Sequence, residues 1–96
     1  MDIEFTPEAL EDLRHLRTCD QRRIVESVEE QLRNPPTQET RNRKRLRPNE
    51  LAEWELRVAT FRAFYDVDEE NDIVKVVAVG YKQGNVLLIH GEEYEL

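Results

Sequence analysis

Residues 54–82, WELRVATFRAFYDVDEENDIVKVVAVGYK, decide the fold predicted for this chain. Apolar and polar residues alternate over residues 54–58, which is the pattern of an antiparallel strand with one buried face. Residues 61–67 predict the next strand, and residues 73–79 are nearly continuous in β-branched side chains, as in a central strand. Gly80 is predicted to end this third strand. The stretch therefore predicts consecutive strands of a small antiparallel sheet.

Two arginines, Arg57 and Arg62, interrupt the otherwise apolar or acidic residues of these strands. The period of two along the second strand divides its side chains between two faces: Arg62, Phe64 and Asp66 on one, Phe61, Ala63, Tyr65 and Val67 on the other. A basic run at residues 41–47, RNRKRLR, lies just upstream and holds five of the fourteen basic residues. Because the whole chain has a formal net charge of -7, this cation-rich patch indicates a site for phosphate or for a carboxylate-rich partner.

The N-terminal segment predicts a strand followed by a helix. Residues 2–5 alternate with the period of a half-buried strand. Thr6 can cap a helix, and Pro7 suits the first helical position. Three leucines then recur at helical spacing on the predicted buried face: Leu10, Leu13 and Leu16.

A second helix is predicted after a break near residues 18–20. Thr18, with Gln21 three residues later, fits a capping box at its start. Its apolar stripe has four members: Ile24, Val25, Val28 and Leu32. Residues 34–36, Asn-Pro-Pro, are predicted to end it, because proline cannot continue the hydrogen-bonded ladder. The short connection between the two helices implies a helical hairpin.

The remaining segments complete the predicted order of elements. Residues 37–50 are polar and predict a loop with a short extended piece around Leu46. Residues 83–85 predict a turn, residues 86–90 a further short strand, and residues 91–96 form an acidic tail. We therefore expect a single α+β domain spanning residues 1–96, with the order β-α-α-β-β-β(-β). Its helical hairpin is expected to pack on one face of the sheet.

Composition excludes several classes of protein. The sequence has no run of about 18 apolar residues, which predicts no membrane-spanning helix, and its start does not resemble a signal peptide. Cys19 is the one cysteine, so we expect no intramolecular disulfide and a reducing, cytoplasmic location. No Cys and His cluster has metal-ligand spacing, so neither a metal nor a cofactor is expected.

The order of elements and a set of motifs together resemble the RelE/ParE superfamily of type II toxins over nearly the whole chain. The motifs are FTPEALEDLRHL (residues 5–16), LRNPP (32–36), the basic run followed by Leu46, WELRVATFRAFYDVDEEN (54–71) and VVAVGYK (76–82). The resemblance implies a compact toxin that a cognate antitoxin neutralises, with plasmid stabilisation as a biological role. It also implies one of two activities: ribosome-dependent mRNA cleavage, as in RelE-like toxins, or inhibition of DNA gyrase, as in ParE-like toxins.

The resemblance also assigns candidate site residues. RelE-like cleavage is metal-independent and uses the 2′-hydroxyl of RNA as nucleophile, so it needs a base, an acid and cations for the crowded phosphate. Arg57 and Arg62 match basic strand positions of the RelE pattern, and Lys82 matches a further basic position. The basic run is expected to bind the RNA backbone through Arg43, Lys44, Arg45 and Arg47.

The sequence departs from the RelE pattern at the expected acid and base. Glu53 and Glu55 stand where RelE-like nucleases have lysines, and leucines at residues 87–88 occupy the stretch where a tyrosine is expected. Tyr81 and His90 are candidate substitutes, since histidine is the residue type best suited to acid–base work near neutral pH. Glu55 is also a candidate base beside an arginine, although its charge repels phosphate.

Each candidate also has a purely structural interpretation. Arg57 and Arg62 could pair with Glu55, Asp66 or the acidic turn at residues 68–72 on a solvated sheet face. The basic run could be a solvated loop or an antitoxin-docking surface. Phe64 could pack under a helix or stack on a base. Two functions stay open: a ribosome-dependent mRNA endoribonuclease, and a binding-only protein. The binding-only protein would be either a gyrase inhibitor or a degenerate toxin held by its antitoxin.

Overall fold

The protein is described here by a computed structural model that covers residues 1–33 and 37–95. The elements are, in chain order, β1 (Asp2–Phe5), α1 (Pro7–Arg14), α2 (Thr18–Gln31), β2 (Arg43–Arg45), β3 (Trp54–Val58), β4 (Phe61–Asp68), β5 (Ile73–Gln83), β6 (Val86–Ile89) and β7 (Glu92–Tyr94). Two helices pack on one face of a sheet, which confirms the predicted α+β class. No helix in these two ranges is both long and apolar enough to cross a membrane.

The sheet is antiparallel along its main path, in the order β2-β3-β4-β5-β6-β7. The N-terminal strand β1 is the exception, because it pairs in parallel with the first part of β5, from Asp2 opposite Ile73 to Phe5 opposite Val76. The later part of β5 pairs with β6 instead. β5 is therefore the central strand, as the sequence predicts, but the sheet is larger than expected and contains one parallel pair.

The start of α1 is the predicted one. The Thr6 hydroxyl oxygen accepts a hydrogen bond from the Ala9 amide at 3.2 Å, and Pro7 occupies the first turn. The Thr6 hydroxyl also donates to the Val77 carbonyl at 3.3 Å, which ties the helix start to β5. This cap therefore fixes both the first residue of α1 and its position on the sheet.

The capping box predicted for α2 is wrong. The N-cap residue is Arg17, which makes no capping hydrogen bond through its side chain, and Thr18 is already helical. The Gln21 amide instead donates backward to the Leu16 carbonyl at 2.8 Å, which closes the turn between the helices. α2 ends at Gln31, and the predicted stop signal at residues 34–36 lies outside the described residues.

Two apolar clusters lie on the two faces of the sheet. The larger one joins the helices to the sheet through Ala9, Leu13, Ile24, Val28, Leu32, Trp54, Leu56, Val58, Ala63, Tyr65, Val74, Val76 and Val79. The smaller one covers part of the opposite face with Ala52, Phe64, Ala78, Leu87 and Ile89. Phe64 is fully buried in the smaller cluster, so it packs rather than stacks on a base, and Trp54 is likewise core. Leu10 is an exception to the predicted helix stripe, because it is 43% exposed.

The sequence predicts that the third strand ends before Gly80, but β5 continues through Gly80 to Gln83. This strand position requires glycine, because a Cβ at residue 80 would lie only 2.5 Å from the Leu88 carbonyl oxygen. The register also shifts between Phe64 and Tyr65, since their partners are Ala78 and Val76, and Val77 is therefore the extra residue of a β-bulge.

Short strands near the basic run and the chain end also differ from the prediction. The extended piece near the basic run is β2 at Arg43–Arg45, just before Leu46. β6 ends at Ile89, and the acidic tail contains the unpredicted strand β7. His90 and Gly91 connect β6 and β7 with φ angles of 56° and 77°, as in a two-residue type I′ hairpin turn. His90 is thus a turn residue rather than part of an edge strand.

Candidate functional site: a basic cleft on the open face of the sheet

Four predicted site residues lie together in a cleft of about 350 Å³ on the sheet face that the helices leave open: Lys44, Arg57, Arg62 and Lys82. We call this site the basic cleft. Its other lining residues are Leu46, Glu55, Asn85, Leu87, Tyr94 and Glu95. The strand period of two produces this grouping, because alternate residues of neighbouring strands project to the same face. Arg57 lies directly opposite Arg62 in the register of β3 and β4.

Arg62 is the buried cation at the base of the cleft, with only 7% of its surface exposed. Its Nη1 donates to the Ala59 carbonyl at 2.9 Å and to the Phe61 carbonyl at 2.8 Å. Its Nε is buried and has no hydrogen-bond partner among the described residues. The nearest carboxylate oxygen, Glu55 Oε1, is 3.9 Å from that Nε. Arg62 therefore has one buried donor that no group of the described residues satisfies.

Electrostatics at Arg62 reflect crowding of positive charge. Burial lowers the pKa of the Arg62 guanidinium most, and the facing Arg57 lowers it further, while Glu55 acts in the opposite direction. Like charges directly opposite each other on neighbouring strands are destabilising. Lys44, Arg57 and Lys82 form no ion pair within residues 1–33 and 37–95. The cleft thus concentrates cations that an anionic ligand would neutralise.

Glu55 is the carboxylate next to Arg62, and only 14% of its side chain is exposed. It lies opposite Lys44 on β2 and Phe64 on β4. The alternative partner for the arginines, Asp66, instead accepts a hydrogen bond from the Glu53 amide at 2.8 Å. Glu55 is therefore the carboxylate held beside Arg62, and a carboxylate in this position can accept a proton.

The remaining residues of the basic run point elsewhere. Arg43 is 8% exposed and donates to the Gln31 carbonyl at 2.9 Å and to the Thr40 hydroxyl at 3.3 Å, so it fastens the end of α2. The Arg45 guanidinium lies over the Trp54 ring, 5.6 Å from its centroid, on the helix side of the sheet. Since alternate residues of β2 face opposite sides, only Lys44 of this strand reaches the basic cleft.

Arg47 lies in a separate depression beside the loop at residues 46–53. Its carbonyl accepts a hydrogen bond from the Asn49 side chain at 2.7 Å, and the same side chain organises the rest of this loop. The residues of the basic run are therefore divided among three environments.

Tyr81 and His90 lie in a different cleft, of about 530 Å³, on the helix side of the sheet. We call it the helix-side cleft. His90 Nδ1 is 2.6 Å from Asp12 Oδ1, and Asp12 Oδ2 accepts a hydrogen bond from the Val79 amide at 2.9 Å. The Asp12 side chain is only 6% exposed. The sheet thus separates these two candidate acid–base residues from the basic cleft.

Three residues of these sites were not identified from the sequence: Asp12, Tyr94 and Glu95. Asp12 lies on the polar part of a helical pattern, and its partner His90 follows 78 residues later, so no local pattern signals the contact. Tyr94 and Glu95 belong to a tail whose composition indicates only acidity. No group of three or more His, Cys, Asp or Glu side chains in the described parts of the chain is arranged to hold a metal ion.

Comparison with known proteins agrees with this fold. The sequence model described as ParE toxin of the type II toxin–antitoxin system parDE matches residues 3–85. The chain is therefore a member of the ParE toxin family, within the RelE/ParE superfamily of type II toxins.

A solved structure supports the same assignment. The fold is similar to a chain in the crystal structure of the toxin–antitoxin complex RelBE2 from Mycobacterium tuberculosis, with a TM-score of 0.73 and 27% sequence identity. The match covers 84% of this chain and 90% of that chain. No curated protein sequence matches the chain.

Proposed function

We propose that this toxin is a RelE-like mRNA endoribonuclease that acts in the ribosome and binds the scissile phosphate in the basic cleft. The observation that carries the proposal is the buried Arg62 Nε, a cationic donor without a hydrogen-bond partner among the described residues. Arg57, Lys44 and Lys82 line the same cleft, and a phosphodiester would neutralise part of this charge. The substrate implies a cytoplasmic site of action.

The proposed reaction is a transesterification that needs no metal. The 2′-oxygen of the RNA attacks the adjacent phosphorus while its proton passes to the Glu55 carboxylate. The bond from phosphorus to the 5′-oxygen breaks, and that oxygen takes a proton from the Lys82 ammonium. Arg62 and Arg57 stabilise the extra negative charge on the phosphoryl oxygens of the transition state. The products are a 2′,3′-cyclic phosphate and a free 5′-hydroxyl.

This mechanism leaves Tyr81 and His90 outside the reaction, although both were expected as possible acid–base residues. Their cleft lies on the opposite face of the sheet, and Glu55 is the carboxylate near Arg62. Lys44 contributes a backbone contact, whereas Arg43 and Arg45 are engaged on the helix side. We further propose that a cognate antitoxin neutralises the toxin by covering the basic cleft.

Induced expression in a bacterial host, followed by mapping of mRNA 5′ ends, tests the proposal. The native chain should produce new 5′ ends within translated messages. Glu55→Gln should lower cleavage by purified ribosome complexes about a hundredfold, the typical effect of losing a general base. Glu53→Gln is the matched control, because it removes the same charge two residues away and outside the basic cleft. Intact transcripts in growth-arrested cells would reject RNA cleavage.

A second candidate function is inhibition of DNA gyrase without catalysis. The separation of Tyr81 and His90 from the basic cleft favours it, because the cleft then contains no tyrosine or histidine close to Arg62 other than Tyr94. A supercoiling assay with purified gyrase distinguishes the two functions. Inhibition at toxin concentrations that leave ribosome-bound mRNA intact would support the gyrase alternative. Inactivity in both assays would favour a degenerate toxin that retains only its antitoxin complex.

A further inference from the structure

The acidic tail of the chain forms one wall of the basic cleft. We call residues 92–95, Glu-Glu-Tyr-Glu, the acidic arm. Its strand β7 pairs with β6 so that Tyr94 lies opposite Leu87, and Leu87 in turn lies opposite Lys82 of β5. Tyr94 is half-buried and packs against the apolar cluster under the cleft. The arm is therefore held one strand away from Lys82 by a strand ladder and an aromatic anchor.

The side chains of the acidic arm are divided between the two faces of the sheet. Tyr94 and Glu95 line the basic cleft. Glu93 lies opposite Leu88, a residue of the helix-side cleft, and therefore belongs to the other face. Only part of the acidity of the arm thus acts on the basic cleft.

Glu95 brings a carboxylate to four cations but forms no ion pair within the described parts of the chain. Its charge therefore lowers the positive potential of the cleft without being held against one guanidinium or ammonium. Such an interaction across partly hydrated space is modest in size and strongly screened by salt. A phosphate entering the cleft meets this charge at the wall of its binding site.

We propose that the acidic arm is an intramolecular competitor for the anionic ligand of the basic cleft, with Glu95 weakening ligand binding and Tyr94 fixing the arm in place. This inference deepens the proposed function and rests on it. The arm lowers the affinity of the cleft for phosphate groups, and a ligand with several phosphates, such as a nucleic-acid backbone, has enough charge to overcome the carboxylate. Shortening the reach of Glu95 or removing its charge should strengthen binding.

Calorimetric titration of the full chain with tripolyphosphate tests the arm independently of RNA cleavage. At about 0.01 M salt, Glu95→Gln should bind this probe roughly two- to fivefold more tightly than the native chain. The difference should vanish at about 1 M salt, where charges more than about 3 Å apart are screened. Glu93→Gln is the matched control: it removes the same charge from the opposite face and should change affinity far less. Arg57→Ala should weaken binding and so locate the probe in the basic cleft.

Equal strengthening by Glu95→Gln and Glu93→Gln would overturn the inference, because the effect would then follow net charge alone. Absence of binding by both the native chain and Glu95→Gln at low salt would also overturn it. The same experiments can reject the proposed RNA cleavage without rejecting the role of the arm, and the reverse. If ribosome-bound mRNA stays intact while the tripolyphosphate pattern holds, the arm still controls an anion site and RNA cleavage is rejected. If mRNA is cleaved but the two glutamine variants bind alike, only the role of the arm is rejected.

Discussion

The two clefts of this toxin differ in whether their buried polar groups have hydrogen-bond partners within the described chain. The helix-side cleft, of about 530 Å³, is the larger, and its Asp12 carboxylate is bonded at both oxygens, to His90 and to the Val79 amide. The basic cleft, of about 350 Å³, contains a buried guanidinium nitrogen without a hydrogen-bond partner in the described chain. Its larger volume would favour the helix-side cleft as the functional site, whereas the unpartnered buried cation favours the basic cleft.

The comparison shows why satisfied and unsatisfied polar groups indicate different roles. A buried carboxylate with all its contacts made within the protein holds α1 against β5 and the β6–β7 turn, and this contact contributes to folding. A buried donor without a partner costs free energy in the folded protein, and a ligand can recover part of that cost. We therefore expect variants of the two clefts to separate activity from stability.

The largest effect is expected for Arg62→Met. Loss of the guanidinium should lower ribosome-dependent cleavage by about 100- to 1,000-fold, the typical result of removing one preorganised donor from a transition-state site. The free energy of unfolding should fall by no more than about 1–2 kcal/mol, because two carbonyls and the Glu55 carboxylate lose a partner while methionine relieves the buried charge and its repulsion from Arg57. Single-turnover cleavage and urea unfolding measure the two quantities. A loss of stability of several kcal/mol with normal activity would make Arg62 structural instead.

The helix-side cleft should give the opposite pattern. Asp12→Ala leaves the Val79 amide without its acceptor and removes the partner of His90, so it should lower the free energy of unfolding by about 2–3 kcal/mol. Urea unfolding followed by fluorescence of Trp54, the one tryptophan, measures this change. Where Asp12→Ala remains folded, its cleavage rate should match that of the native chain.

His90→Asn is the matched control for this cleft. Asparagine suits the left-handed backbone of the type I′ turn, so the variant removes the imidazole but keeps the turn, and stability should fall by about 1–2 kcal/mol because Asp12 Oδ1 loses its partner. Cleavage should be unchanged. If cleavage instead falls about a hundredfold while stability is retained, the acid–base chemistry belongs to the helix-side cleft, and the comparison between the two clefts is reversed.

The same contrast explains how far the sequence predicts this protein. Alternation along β4 correctly divides the faces, because one face packs against the helices, and the register of β3 and β4 then brings Arg57 opposite Arg62. The pattern cannot reveal that Tyr81 lies on the other face from Arg62, since the bulge at Val77 changes the alternation along β5. One inserted residue moves every later side chain of a strand to the opposite face.

Sequence patterns also do not predict contacts between segments that are far apart in the chain. The Asp12–His90 pair depends on packing α1 against a turn near the other end of the chain, and no local period encodes that approach. The capping box failed for a related reason, because Gln21 has a better acceptor in the carbonyl that precedes the turn between the helices. The basic run was predicted as one surface, but its short strand β2 sends Arg43 and Arg45 to the helix side.

The smallest effect concerns this division of the basic run and compares Lys44→Gln with Arg45→Gln. Both variants remove one positive charge from neighbouring residues of β2, but only Lys44 lines the basic cleft, while Arg45 lies over Trp54. Binding of a single-stranded RNA oligonucleotide should weaken with salt, and the slope of log affinity against log salt should fall by about 0.7 in Lys44→Gln, the value for one lost phosphate contact. The slope should be unchanged in Arg45→Gln. Equal reductions in both variants would mean that RNA contacts the whole basic run. The face of the sheet on which a cation lies would then not determine whether it binds RNA.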